Sequence, residues 1–177
     1  MVAAKSDAAH ASLAAQFEAH SINRAYRCFV WGTPIPLSGE IKGNIGRSRQ
    51  NRTKMAVVRD GQGKTALTHY RTLSRFGRTV GLLECRLETG RTHQIRVHLT
   101  HIGHPILGDP AYGKSTAHRR SQISATTLDA LEKLGRQALH AAELGFDHPL
   151  SGGRVNFQSN LPKDMQLLEN CLNSDSF

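Results

Sequence analysis

The sequence predicts an α+β fold in which a mostly antiparallel mixed sheet is flanked by helices, within a single domain of 177 residues. Residues 80–87 alternate between apolar and polar side chains, which is typical of a strand with one buried face. Three or four shorter strand-like segments precede it, separated by turn residues such as those at 60–63. Helix-forming segments lie towards both ends of the chain, as expected for helices that flank a sheet.

Each element follows from its local composition. Residues 8–19 are rich in alanine, with Leu13 and Phe17 four positions apart, and predict a helix. Residues 25–32 combine aromatic and β-branched side chains and predict a strand, which Pro34 and Pro36 end because proline cannot donate to a ladder. Further strands are predicted at 55–59, 66–73 and 154–157, a strand or loop edge at 39–46 and a short apolar segment at 139–146. Further helices are predicted at 128–134 and 163–172, and a basic polar segment lies at 114–122.

The charge of the chain indicates a polyanionic partner. Its formal net charge is +9 and its pI is near 10.0, which favours nucleic acid over an anionic membrane, the alternative being a basic protein without such a partner. Three widely spaced cysteines without a CxxC pair indicate a reducing compartment, and we expect a cytoplasmic protein. No apolar run has the length of a membrane span, and residues 1–17 lack the apolar core of a signal peptide.

The densest group of functional side chains lies at residues 87–98, directly after the predicted strand 80–87. Gly90 supplies a turn, Thr92 is the predicted N-cap, and Gly103 ends the helix that follows. Free N–H groups at a helix N-terminus favour anions, and cationic side chains there strengthen that preference. We therefore predict an anion-binding site that includes the four polar residues at the helix start, which are Arg91, His93, Gln94 and Arg96.

A second basic group lies at residues 47–54, which carry four positive charges and no acid. It is predicted to contact RNA phosphates, the alternative being a solvated turn. The charge of the whole chain favours RNA. The predicted contacts are Arg47, Arg49, Arg52 and Lys54.

Other chemistries have weaker support. Histidines at positions 93, 98, 101 and 104 could suggest zinc, but only two pairs have i,i+3 spacing, and neither an HExxH motif nor a cysteine pair is present. No metal is therefore expected. The sequence also contains no GxSxG motif, no Walker A loop and no GxGxxG motif, which leaves an arginine-bearing turn in a basic protein.

Several motifs, in order along nearly the whole chain, resemble the RluA-type RNA pseudouridine synthases. The central one is Leu-Glu-Thr-Gly-Arg-Thr-His-Gln-Ile-Arg-Val-His at 87–98, followed by Gly-His-Pro-Ile-Leu-Gly-Asp-Pro-Ala-Tyr-Gly at 103–113. Their occurrence in the same order is much more specific than any single motif. The other matching segments are 23–32, 64–70, 139–142 and 146–152.

The resemblance implies isomerisation of uridine to pseudouridine in structured RNA, ribosomal before transfer RNA, with no metal or organic cofactor. The family flips the target nucleotide into a pocket, where an aspartate attacks or activates it and the base rejoins through carbon. By resemblance, Tyr26 stacks on the base, Arg96 pairs with the catalytic aspartate and Ile95 forms an apolar wall. Residues 91, 93 and 94 position RNA or brace the turn, and Asp109 fixes a turn.

From the residues alone, other roles stay open. Tyr26 is better explained as an aromatic residue of the core, whereas a phosphate contact or a surface ion pair explains Arg96 as well as catalysis does. The family's catalytic aspartate lies in an Arg-Leu-Asp segment, and none of the seven aspartates of this chain follows an Arg-Leu pair. We therefore expect an N-terminally truncated catalytic domain that does not isomerise uridine alone. It is a piece of an active enzyme, one half of a split enzyme, or a non-catalytic RNA-binding remnant.

Overall fold

A computed structural model describes residues 2–113 and 117–175, so Met1 and part of the predicted basic segment 114–122 lie outside the described residues. Seven strands form one sheet in the order β3-β2-β4-β5-β1-β6-β7. The strands are β1 (Asn23–Trp31), β2 (Ser38–Arg47), β3 (Met55–Val58), β4 (Lys64–Phe76), β5 (Val80–Leu87), β6 (Leu139–Asp147) and β7 (Arg154–Gln158). The helices are α1 (Asp7–Glu18), α2 (Gln94–His101), α3 (Ala117–Arg120), α4 (Ala125–Leu134) and α5 (Lys163–Ser174).

The predicted antiparallel sheet is confirmed. Every pair of neighbouring strands runs antiparallel, and a parallel contact occurs as an isolated bridge between Gly32 and Val80. Strand β1 lies between β5 and β6, although more than 100 residues separate Tyr26 from its β6 partner Ala141. This long-range pairing brings the two halves of the chain together beside the motif at 87–98.

The main core lies where β1 and β5 cross the sheet centre beneath the helices. Phe29, Trp31 and Leu83 are almost fully buried, and Leu99 of α2 and Leu168 of α5 pack into the same cluster. Burying such side chains stabilises the fold by about 1.5–3 kcal/mol each. The strands beside the functional motif are therefore anchored in the best-packed part of the molecule.

Helix α2 joins two apolar clusters, and this fixes its position. Ile95 and Leu99 belong to the main core, whereas Val97 packs with Ile45 and Ala66 of β2 and β4 in a smaller cluster. Because residues 95, 97 and 99 point to two sides, the helix cannot rotate without exposing one group. Its N-terminal end is thereby held at the ends of β1 and β5.

In the part of the chain that the structure describes, no helix is long and apolar enough to cross a membrane.

Candidate active site

Helix α2 begins differently from the sequence prediction. Thr92 is not the N-cap; that position is His93, whose backbone is left-handed with φ 57° and whose side chain makes no capping hydrogen bond. Gln94 in the first turn instead binds the loop before the helix: its Oε1 accepts hydrogen bonds from the Arg91 N–H at 3.0 Å and the Thr89 hydroxyl at 2.7 Å. These bonds fasten the loop at residues 89–91 to the helix start without capping the helix itself.

Gln94 is bound on its other side as well. Its Nε2 donates to the carbonyl of Leu67 at 2.9 Å and to the hydroxyl of Thr68 at 3.0 Å, and the residue is only 3% exposed. Two bonds at each end satisfy the amide. Of the two roles predicted for Gln94, bracing the turn therefore fits this geometry better than contact with RNA.

The same buried network reaches His98. Its Nδ1 lies 3.0 Å from the hydroxyl of Thr68, and both residues are fully buried. Burial, assisted by the charge of His101, lowers the pKa of His98 from 6.5 to about 4. His98 is therefore neutral at physiological pH and supports α2 against β4.

This lowered pKa makes stability depend on pH. Between pH 6.5 and 4 the unfolded chain binds a proton at His98 that the folded chain excludes, so acidification favours unfolding across that window and the effect levels off below it. The steepest slope from this residue is roughly 1.4 kcal/mol per pH unit. The free energy of unfolding, measured with urea, should fall less between pH 7 and pH 5 in His98→Asn than in the unaltered chain. Equal decreases in the two proteins would contradict the prediction.

A pocket of about 330 Å³ opens where α2 begins. It gathers six of the predicted site residues, and the structure adds three that sequence reasoning missed: Leu87, Gln137 and Leu139. The clue to Leu139 was its motif at 139–142, since this segment pairs with β1 beside Tyr26. The six predicted site residues that line the pocket are Tyr26, Arg91, His93, Gln94, Ile95 and Arg96.

A β-bulge lies beside Tyr26 in this pocket. The register between β1 and β6 shifts from Ala25 opposite Glu143 to Tyr26 opposite Ala141, leaving Ala142 as the extra residue. Bulges bend a strand locally and can re-aim side chains next to a site. Tyr26 is half-buried at the pocket wall while Ala25 beside it is fully buried, so the ring is not wholly a core residue.

Arg96 is held by Asp109. Its Nε and Nη2 donate to the two carboxylate oxygens at 2.6 and 2.7 Å, a bidentate pair whose side chains are 12% and 0% exposed. Burial alone would raise the pKa of Asp109, but hydrogen bonds from Arg96 and from the backbone N–H groups of Tyr112 and Ala111 lower it overall. Asp109 thus fixes its turn, as predicted, and also forms the ion pair with Arg96. Neither bond uses Nη1 of Arg96.

Tyr112 connects the arginine to its surroundings. The guanidinium carbon of Arg96 lies 4.8 Å from the centre of the Tyr112 ring, and the tyrosine hydroxyl lies 3.0 Å from Nδ1 of His93. The same hydroxyl accepts a 2.9 Å hydrogen bond from the Met55 N–H. Burial and the charge of Arg96 lower the pKa of His93, which is neutral at pH 7. Tyr112 belongs to the motif at 103–113, but the sequence did not predict its contacts with Arg96, His93 and Met55.

The predicted basic group forms the connection between β2 and β3, which we call the basic hairpin (residues 47–54). Arg47, Arg49 and Arg52 are exposed, and none forms an ion pair with a described residue. Lys54 differs from the expectation. It is half-buried, and its amine donates to the carbonyl of Ala111, so it fastens the hairpin to the turn after Asp109.

Three of the four histidines considered for zinc are directed to other partners. His98 contacts Thr68, His93 contacts Tyr112, and Nδ1 of His104 lies 2.9 Å from the carbonyl oxygen of Trp31. Across residues 2–113 and 117–175, no three histidine, cysteine or acidic side chains are grouped as metal ligands.

Comparison with known proteins identifies relatives of this chain, and the matched residues include the motif at 87–98. The family model described as RNA pseudouridylate synthase matches residues 1–101. Ribosomal large subunit pseudouridine synthase D of Zymomonas mobilis is 52% identical over 168 residues, which cover 95% of this chain and 50% of that protein. The protein of the same name from Pseudomonas aeruginosa is 46% identical, with 99% and 53% covered. The chain spans about half the length of the curated relatives it matches.

A solved structure agrees with the sequence relatives. Human RNA pseudouridylate synthase domain containing 4 superposes with a TM-score of 0.71 at 25% identity, covering 94% of this chain and 68% of that chain. The family match extends over more than half of the chain and includes strand β1, strand β5 and the whole of α2. On this evidence, the chain belongs to the RNA pseudouridylate synthase family.

Proposed function

We propose that this chain forms the uridine pocket of an enzyme that isomerises uridine to pseudouridine in ribosomal RNA. The observation that carries the proposal is the pocket at the start of α2, where an aromatic ring, an apolar side chain and a held arginine meet. Tyr26 stacks on the flipped base, Ile95 supplies an apolar wall, and Arg96 presents its remaining N–H groups to a carboxylate. The match to the family model includes Tyr26, Ile95 and Arg96, and family membership supports these roles.

The attacking carboxylate, we propose, comes from outside these 177 residues. None of the nine residues that line the pocket is acidic. The nearby Asp109 already accepts four hydrogen bonds, two from Arg96 and two from backbone N–H groups, which makes it a poor nucleophile. An ionised aspartate entering the pocket would meet the free side of the Arg96 guanidinium, which would keep it charged.

RNA binding is assigned to the three exposed arginines of the basic hairpin. Arg47, Arg49 and Arg52 have no acidic partner among the residues that the structure describes, and the chain carries a net charge of +9. Phosphate contacts of this kind position an RNA without reading its sequence. The names of the bacterial relatives favour the ribosomal large subunit as the source of the RNA. Such an enzyme would work in the cytoplasm, where ribosomes are assembled.

Tritium release from RNA labelled at C5 of uridine tests the proposal. The chain alone should release no tritium above background. A fusion of this chain with the part of the Zymomonas mobilis relative that it does not cover, called the fusion enzyme below, should release it from ribosomal RNA. Turnover by the chain alone would contradict an external carboxylate. RNA binding without turnover by the fusion enzyme would favour a non-catalytic RNA-binding protein.

A further inference from the structure

The turn at residues 109–113 makes contacts that neither stacking on uridine nor RNA binding requires. Asp109 accepts the N–H groups of Ala111 and Tyr112 at 2.9 and 3.0 Å on the same oxygen that accepts Nη2 of Arg96. The turn needs glycine at its end: a Cβ on Gly113 would lie 2.4 Å from the carbonyl oxygen of Ile106 and 2.7 Å from the Asp109 side chain. The turn therefore holds the carboxylate by contacts that do not involve the arginine.

The turn limits the freedom of Arg96 in two directions. Asp109 sets the in-plane orientation of the guanidinium through its two parallel bonds, and the Tyr112 ring lies 4.8 Å from the guanidinium carbon. Of the five N–H donors of arginine, three stay outside the Asp109 pair, including both on Nη1. Because Arg96 lines the pocket and Asp109 does not, those free donors are available to a group bound there.

The same turn holds the basic hairpin. The Tyr112 hydroxyl accepts the Met55 N–H at 2.9 Å, and the Lys54 amine reaches the Ala111 carbonyl. Met55 pairs with Arg47 across the hairpin, so the Tyr112 hydroxyl is bound one residue pair away from one of the exposed arginines. The hairpin backbone at Arg47 is therefore connected through Tyr112 to the turn that binds Arg96.

We propose that Asp109 and Tyr112 are positioning residues: they orient Arg96 towards the uridine pocket and fix the position of the basic hairpin relative to that pocket. This role rests on the proposed function, because it assumes that the pocket and the hairpin serve one RNA. It gives the two residues different duties. Asp109 orients the arginine, whereas the hydroxyl of Tyr112 connects the hairpin.

The 177-residue chain itself can test these duties by NMR and RNA binding. Tyr112→Phe keeps the ring over Arg96 but removes the acceptor for Met55, so the Met55 amide should exchange about tenfold faster, and affinity for an RNA stem-loop with uridines in its loop should fall about threefold. The Nε–H signal of Arg96 should persist. Asp109→Asn should instead abolish the slow exchange of that Nε–H and leave the Met55 exchange rate within about twofold.

Tyr70→Phe is the matched control, because it removes another tyrosine hydroxyl, which donates to the Pro36 carbonyl, away from the pocket. It should change neither the Met55 amide nor RNA affinity. An unchanged Met55 exchange rate in Tyr112→Phe, or faster exchange with unchanged RNA affinity, would overturn the positioning role while the proposed function stands. Absence of RNA binding by the unaltered chain would overturn both.

Discussion

Replacing Arg96 with alanine is expected to lower the kcat of the fusion enzyme at least about a thousandfold while its RNA affinity stays within about threefold. The free side of the guanidinium is the proposed partner of the attacking carboxylate. Without a hydrogen-bonded cation, a carboxylate in a partly closed pocket takes up a proton and stops being a nucleophile. Single-turnover tritium release at saturating RNA gives the rate, and filter binding gives the affinity.

The alanine variant also leaves Asp109 buried and unpaired, which costs about 3–5 kcal/mol in comparable buried pairs. Urea unfolding must therefore accompany the rate measurement. The double variant Arg96→Met with Asp109→Asn removes both charges but keeps an acceptor oxygen for the N–H groups of Ala111 and Tyr112, so it should recover part of the stability but none of the activity. Recovery of turnover in the double variant would contradict a catalytic role for Arg96. A loss of RNA affinity as large as the loss of kcat would favour a phosphate contact.

The local elements of the fold could be read from the sequence because their signals are local. The predicted strand at 80–87 coincides with β5, and residues 83 and 85 are fully buried, as the alternation indicated. Residues 80–82 are buried as well, so the expectation of one buried face is wrong for the first half of the strand. The alanine-rich helix predicted at 8–19 is observed at Asp7–Glu18. Strand β4 extends beyond its predicted limits of 66–73 because residues 64 and 65 pair with β2 and residues 74–76 pair with β5.

The candidate site was only partly predictable because its decisive contacts join distant residues. The position of Gln94 indicated a helix start, but its use as a brace depends on the Leu67 carbonyl, which β4 supplies from 27 residues away. Lys54 looked like one more RNA-binding cation, yet its amine is directed to Ala111, 57 residues further along. The type of a residue predicts which bonds its side chain can form. Which partner it binds depends on the order of the strands, and that order follows from the packing of the whole sheet.

Tyr26 carries the other large expected effect. Tyr26→Leu in the fusion enzyme should lower kcat/KM by about 10- to 100-fold, because stacking of a base on an aromatic ring contributes roughly 1–3 kcal/mol. Tyr26→Phe keeps the aromatic ring, so its kcat/KM should fall clearly less than that of Tyr26→Leu. Steady-state tritium release from ribosomal RNA measures both, and urea unfolding checks that each variant is folded. Equal losses in the two variants would contradict stacking and place the function of Tyr26 in its hydroxyl. Unchanged kcat/KM in both would return Tyr26 to a purely structural role in β1.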